Sequence, residues 1–395
     1  MSPMLHPTTD NPPQPLIPCP LPPAPAPLTS TNLEVEGWSH SDHHPPPTTH
    51  AHAHAHAHDS HDTHGGTRMY AIRLHAFGPA ENLLLEEVDD PVPGPGQVRV
   101  AVEAAGVHLL DTALREGMRG GPAPVPTTLP TIPGREVAGV VEALGEGAPG
   151  TWLGKRVVAH LGFAPGGYAE LAVTDVDRLH EIPANLDAAQ AVAMIGTGRT
   201  ALGILQFADL GPDSVAVVPA AAGGIGTLLV QYAKNAGATV VGLAGGPRKT
   251  AQVAGNGADL AVDYTDTTWP AGVRAHLGGR AATVVFDGVG GEAAREAVAL
   301  LGPDAPPGAH LVFGWSAEGI RDGKGHFVEG VSRSVLGPVM IEKAGGLRAL
   351  EVRALAEAAA GRLTPAVQTF PLAEAAAAHR ALETRGTTGK VVLMP

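Results

Sequence analysis

The chain has 395 residues, 44% of them hydrophobic and 16% charged, which suits two ordinary domains because single cores stop growing beyond roughly 250 to 300 residues. A formal net charge of −13, with no long Lys/Arg run, argues against nucleic acid or an anionic membrane as the main partner and leaves a small molecule. The single cysteine, Cys19, excludes an intramolecular disulfide and any zinc site built from several cysteines.

Residues 1–68 are crowded with Pro, Thr, Ser and His, lack apolar periodicity, and read as a disordered tail. Within it, His50, His52, His54, His56, His58, His61 and His64 mix with Asp59 and Asp62. Such density can bind zinc, nickel or copper weakly. An extended tail, however, offers nothing to orient the imidazoles. Met69 reads as a second natural start. No stretch of about 18 apolar residues occurs and no basic segment followed by an apolar one opens the chain, so the expectation is a cytoplasmic protein without membrane span or signal peptide.

From Met69 the pattern changes to short β-like runs, YAIRLHAF, QVRVAVEAAGV, EVAGVVEALG and KRVVAHLG, punctuated by glycine-rich turns. They predict an irregular, strand-rich domain. Near Leu186 helical runs appear, AAQAVAMIG and TALGILQFA, and then strands alternate with helices through HLVFGW. That alternation predicts a parallel sheet with helices on both faces, an α/β domain. From about Ala317 the chain is helical and closes on the apolar strand KVVLM, which must find a sheet to join.

The stretch from Ser214 to Gly246 is strand, glycine turn, helix and strand, about the length of one βαβ unit. Ala220, Gly223 and Gly226 have the spacing of a G/AxxGxxG dinucleotide loop, where small residues let backbone approach a pyrophosphate and the helix N-terminus faces its charge. After the second strand, NAD-preferring folds place an acidic residue to hold the ribose 2′-hydroxyl. Here the chain reads Gly245, Gly246, Pro247, Arg248, Lys249. Two cations and no carboxylate favour NADPH over NADH, unless Arg248 and Lys249 are only the charged start of a helix.

The ordered series AGVHLLDTALREG, PGREVAGVVEALGEG, GKRVVAH, GGYAELA, TGRTA, AAAGGIG, DGVGG and TGKVVL resembles the zinc-independent quinone oxidoreductases of the medium-chain dehydrogenase/reductase superfamily, from Met69 to Pro395. The resemblance implies a GroES-like catalytic domain from residues 69–195 and 319–395, a Rossmann domain inserted at 196–318, and a homodimer. It also implies a body without catalytic or structural zinc. Its cofactor contacts fall on Ala222, Gly223, Gly224 and Ile225 for the pyrophosphate and on Gly246, Lys249 and Tyr264 for the adenosine phosphate end. Near the nicotinamide they fall on Thr200, Val289, Phe313, Gly314 and Lys390. Tyr264 could equally cap the strand DLAVDY, and Thr200 could bond only helix backbone.

The expected chemistry is hydride transfer from NADPH to a quinone or enone, whose oxygen takes the developing charge. Candidate donors are His108, Asp111, Arg199 and Thr200. His108 stands where the family commonly has Asn, and could either protonate the product or bond backbone beside the cleft. Ala113 stands where relatives frequently have Tyr, so the expected acceptor pocket is wider or less polar than theirs, and Trp315 either walls that pocket or belongs to the core. Three rival readings remain open: an enoyl-thioester or alkenal reductase, a non-catalytic NADPH-binding sensor or structural protein with a metal-binding tail, and a protein whose tail is primary, its body a scaffold for metal storage or delivery.

Overall fold

The computed structural model describes residues 67–118, 127–314, 316 and 327–395. The histidine run, Cys19 and Trp315 lie outside the described residues.

The first β-like runs form β1 (Arg68–Leu74), β2 (Leu83–Asp89) and β3 (Gln97–Val107), followed by helix α1 (Leu109–Arg115). Next come β4 (Glu136–Leu144), β5 (Arg156–His160), β6 (Leu171–Asp175) and β7 (Leu179–Glu181). Val98, Val100 and Val102 of β3 are buried on alternate positions, the period-two pattern of a strand with one face on a core. Helix α2 (Ala188–Ala193), a π turn (Met194–Gly198) and α3 (Arg199–Leu205) then run on without a break. A π turn inside a helix is uncommon and frequently marks a functional site.

The second sheet is built from β8 (Val215–Val218), α4 (Gly224–Asn235), β9 (Thr239–Ala244), α5 (Pro247–Gly255), β10 (Leu260–Asp263), α6 (Trp269–Leu277), β11 (Val284–Asp287), α7 (Gly291–Val298), β12 (His310–Val312) and β13 (Ser332–Ser334). All six strands are parallel, in the order β10-β9-β8-β11-β12-β13. This is the doubly wound dinucleotide fold, and its strand order reverses between β8 and β11, where such folds bind ligands. Val215 and Val217 pack with Trp269, Val273 and Leu277 of α6. Ala216 and Val218 face the other way, toward Leu228 and Leu229 of α4. The sheet continues past residue 318, since Leu311 of β12 pairs with Arg333 of β13. A three-residue strand reading SRS carries no apolar periodicity that would announce it.

After α8 (Pro338–Ala344) and α9 (Leu347–Ala359), β14 (Val367–Pro371), α10 (Ala375–Glu383) and β15 (Lys390–Met394) close the described chain. The apolar C-terminal strand finds its partner in the first half. β15 pairs antiparallel with β3, with Val391 opposite Val107 and Val392 opposite Gly106. The seven-stranded GroES-like sheet therefore includes both ends of the body, in the path β14-β15-β3-β4-β5-β7 with β6 on β3.

Candidate active site

Three adjacent strands bring together three residues that are far apart in sequence. The β3–β4 register sets Ala105 opposite Val137, so Glu136 opens β4 beside Gly106. The β3–β15 register sets Val107 opposite Val391, so Lys390 opens β15 beside His108. The side chains meet: His108 Nε2 is 2.6 Å from Glu136 Oε1 and Lys390 Nζ is 2.8 Å from Glu136 Oε2. Lys390 Nζ is also 3.1 Å from His108 Nε2. Glu136 is fully buried and Lys390 nearly so, whereas the His108 side chain keeps 25% of its surface exposed.

Glycines make the space for this carboxylate. A Cβ at Gly106 or at Gly196, inside the π turn, would collide with the Glu136 oxygens. Burial pushes the Glu136 carboxyl up, but the charges of His108 and Lys390 outweigh it and hold the group well below the usual carboxylate range. On the next strand, burial followed by the Arg199 guanidinium pushes His160 down to about 3, and His160 Nδ1 accepts from the Gly162 backbone N–H at 3.0 Å. A neutral imidazole whose Nδ1 accepts carries its proton on Nε2.

The glycine turn after β8 packs directly against this cluster. Gly223 forms a parallel bridge with Gly389, and the Gly389 N–H donates to the Ala222 carbonyl at 2.8 Å. A Cβ on Gly224 would lie 3.0 Å from Thr197 Cγ2 and 3.3 Å from Lys390 N. One on Gly226 would lie 2.7 Å from Ala221 Cα. Ala220 adopts φ 51°, a conformation that costs a residue with a Cβ about 1–2 kcal/mol. The turn ends at Gly223, the N-cap of the twelve-residue helix α4, with no side chain capping its first amides. Those amides and the helix dipole suit a pyrophosphate, and Ala222, Gly223, Gly224 and Ile225 form the rim, so a dinucleotide fits here.

At the end of β9, Gly246 has φ 83° and starts the turn into α5, which opens with Pro247, Arg248 and Lys249. Lys249 Nζ donates to the Arg385 carbonyl at 2.6 Å and Arg248 Nη2 to the Gly386 carbonyl at 3.4 Å. Burial, then Arg248 and Arg385, lower the Lys249 pKa. Arg385 is thus a third cation in this corner, and sequence reasoning passed it over. The Tyr264 hydroxyl lies 3.1 Å from where a Cβ on Gly245 would sit, just beyond β10. At the carboxyl end of β11, Val289 and Gly290 donate backbone N–H to Asp287 Oδ1 at 2.8 and 2.9 Å. A Cβ on Gly314 would lie 2.6 Å from the Gly288 carbonyl oxygen, and one on Gly288 would strike the Phe313 ring at 3.1 Å.

The remaining expected residues have defined partners. Asp111 Oδ2 accepts from the His108 backbone N–H at 2.8 Å and from the Tyr168 hydroxyl at 3.1 Å, while Oδ1 is 3.5 Å from Arg135 Nη2. Asp111 therefore positions His108. Thr200 Oγ1 donates to the Gly196 carbonyl at 2.8 Å. Arg199 Nη1 donates to Glu351 Oε1 at 2.6 Å, tying α3 to α9. Glu136 was not expected; its only sequence signal is a carboxylate opening the apolar strand EVAGVV between glycines.

Two families match: residues 94–184 fit the one described as "Alcohol dehydrogenase GroES-like domain" and residues 256–393 the one described as "Zinc-binding dehydrogenase". A 2-haloacrylate reductase from Burkholderia sp is 32% identical over 338 residues, covering 82% of this chain and 98% of that protein. The quinone oxidoreductase of Pseudomonas aeruginosa is also 32% identical, over 333 residues, covering 82% and 99%. The chain belongs to the quinone oxidoreductase group of the medium-chain dehydrogenase/reductase superfamily. It is an oxidoreductase of that family. The crystal structure of an Escherichia coli quinone oxidoreductase complexed with NADPH superposes with a TM-score of 0.68 at 26% identity, covering 82% of this chain and all of that one.

The description of one matched family raises the question of zinc at this cleft. Among the described residues no group of three or more His, Cys, Asp or Glu side chains could hold a metal ion. His108 and Glu136 are engaged with one another, and the Lys390 ammonium already sits between them. A cation in that place opposes a second one, and zinc sites need several neutral or anionic donors. The residues do not fit a zinc ion.

Proposed function

We propose that the protein is a zinc-independent, NADPH-dependent reductase of quinones and related conjugated carbonyl compounds. The observation that carries this reading is the His108–Glu136–Lys390 cluster packed against the glycine turn that suits a pyrophosphate. The names of the quinone oxidoreductase and 2-haloacrylate reductase relatives support a conjugated acceptor. The NADPH in the E. coli structure and the corner of Arg248, Lys249 and Arg385 support the phosphorylated cofactor.

When bound, NADPH supplies the hydride. The protein's part is to orient the acceptor, exclude water and deliver a proton. Charge that develops on the acceptor is met by His108, the exposed member of the cluster. Glu136 Oε1 holds a proton on His108 Nε2, and Asp111 fixes the backbone beneath it. Lys390 Nζ, 3.1 Å from the same nitrogen, keeps Glu136 ionised beside it. General acid catalysis of this kind contributes about 10²- to 10⁴-fold. Gly288 and Val289 follow β11, beside the point where the strand order reverses, and Phe313 and Gly314 follow the neighbouring β12.

On the family resemblance we read the working assembly as a homodimer, its compartment as the cytoplasm, and its domains as a GroES-like lobe from 69–195 and the C-terminal segment around a dinucleotide-binding lobe that starts at 196 and runs past 318 to include β13. Among the described residues no helix is long and apolar enough to cross a membrane. The test is NADPH oxidation against a panel of quinones, enones and enoyl thioesters. Turnover of quinones is expected; NADPH bound but never oxidised would sink the reductase reading in favour of a sensor.

A further inference from the structure

A chain of polar side chains crosses three neighbouring strands of the parallel sheet. The β12–β13 register sets Ser332 opposite His310, and the β11–β12 register sets Val285 opposite the same histidine. Asp287, two residues beyond Val285, lies on the same face of the sheet. The side chains meet: His310 Nδ1 is 2.7 Å from Ser332 Oγ, and His310 Nε2 is 3.3 Å from Asp287 Oδ2. His310 and Asp287 have no exposed surface. Ser332 is half-buried, and its Oγ accepts from the Val328 backbone N–H at 2.7 Å. Burial pushes the Asp287 carboxyl up, but the bonds from His310, Gly290 and Val289 outweigh it and hold the group below its usual range. An ionised carboxylate only accepts, so His310 Nε2 donates to it.

The other carboxylate oxygen, Asp287 Oδ1, takes the Val289 and Gly290 N–H groups. Their turn also carries Gly288 and Gly291, and Gly290 and Gly291 stand at φ 71° and 68°. So glycine-rich a segment loses much conformational entropy on settling into one shape, and Asp287 is what its amides hold. Apolar side chains of similar volume often stabilise a core as well as a buried carboxylate and its partner do. Stability alone therefore does not call for this chain of polar groups. Its place does: the turn follows β11, beside the reversal of strand order, where such folds bind their ligand. We propose that His310 and Ser332 are positioning residues for the nicotinamide ring: they lock the Asp287 carboxylate, and through it the turn at 288–291, in the shape that receives the ring. The inference rests on the dinucleotide reading of this cleft and deepens it. With no exposed surface, His310 cannot touch the cofactor and acts through Asp287. A turn held in its bound shape lowers the ordering cost of binding and keeps the ring in line for hydride transfer.

The test compares two ligands on the full chain by calorimetry: NADPH, and 2′-phospho-ADP-ribose, which shares everything but the nicotinamide. In His310→Asn the shorter amide reaches Ser332 but not Asp287. NADPH is expected to weaken about ten-fold, the worth of one bond to a charged group, while 2′-phospho-ADP-ribose stays within about two-fold of its wild-type affinity. His310→Gln, whose amide sits where Nε2 does, is expected to recover most of the loss. Ser332→Ala removes only a half-buried hydroxyl and is expected to show a smaller loss of the same selectivity, which Ser332→Thr restores; it decides the matter where His310→Asn unfolds the chain. Parallel losses for the two ligands, or NADPH affinity unchanged in His310→Asn and Ser332→Ala alike, overturn the proposal and leave the dinucleotide reading standing. A wild-type chain that binds neither ligand overturns that reading, and the proposal with it.

Discussion

His108 Nε2 lies 2.6 Å from Glu136 Oε1, a half-buried imidazole backed by a carboxylate with no access to water. Lys390 and His108 keep the carboxylate ionised against its burial, so a fixed negative charge sits against the imidazole. Glu136→Gln is therefore expected to lower kcat for quinone reduction by about 10²-fold. An unchanged kcat would assign Glu136 a packing role only.

The Glu136 carboxylate fits because Gly196 has no side chain. Gly196→Ala places a methyl group on Glu136 Oε1 and is expected to cost about 1–3 kcal/mol of stability, read by denaturant unfolding. Gly255→Ala, in helix α5 with nothing within 4 Å of its new Cβ, is the control. It should be neutral or stabilise by up to about 1 kcal/mol. Equal effects at the two positions would contradict the steric account.

Lys249 and Arg385 meet at the corner where a ribose 2′-phosphate is expected. Lys249→Glu should weaken NADPH about ten-fold or more, as the loss of one charge-assisted bond predicts, while NADH is affected less. Arg385→Ala should act in the same direction, measured by quenching of protein fluorescence. Equal losses for both nucleotides would place these cations elsewhere in the binding event.

Two buried histidines make the fold sensitive to acid. Burial pushes His379 down to about 4, and burial with Arg199 pushes His160 down to about 3, from an ordinary value of 6.5. As pH falls below about 6.5 the unfolded chain takes up these protons first, so stability drains from there toward the folded values. At pH 5 each contributes a loss of about 2 kcal/mol relative to pH 8. Glu136, held low in the fold, adds a loss of the same sign once the pH is below 4.5. The melting temperature should drop between pH 8 and pH 5, and His379→Gln should flatten that dependence. A melting temperature independent of pH across this window would refute it.

The dinucleotide half was legible because its signals are local. Ala220, Gly223 and Gly226 are read within one turn, and β8 and α4 follow from period-two and helical patterns that need no distant partner. The cluster of His108, Glu136 and Lys390 was only partly legible: His108 and Lys390 stood out singly, and the partner that joins them, Glu136, did not. A carboxylate at the head of an apolar strand reads as an exposed strand end until the registers of β15, β3 and β4 are known. Arg385 was hidden for the same reason, separated from Lys249 by 136 positions. The short strand β13 was missed because its residues, SRS, are polar and its place is set by β12.

The most direct measurement is titration of the purified full chain with NADPH and with NADH, followed by fluorescence at fixed ionic strength. The account predicts saturable binding of both, with NADPH tighter by about ten-fold or more, the worth of one charge-assisted contact to the extra phosphate. Equal affinities, or no binding of either, would contradict it.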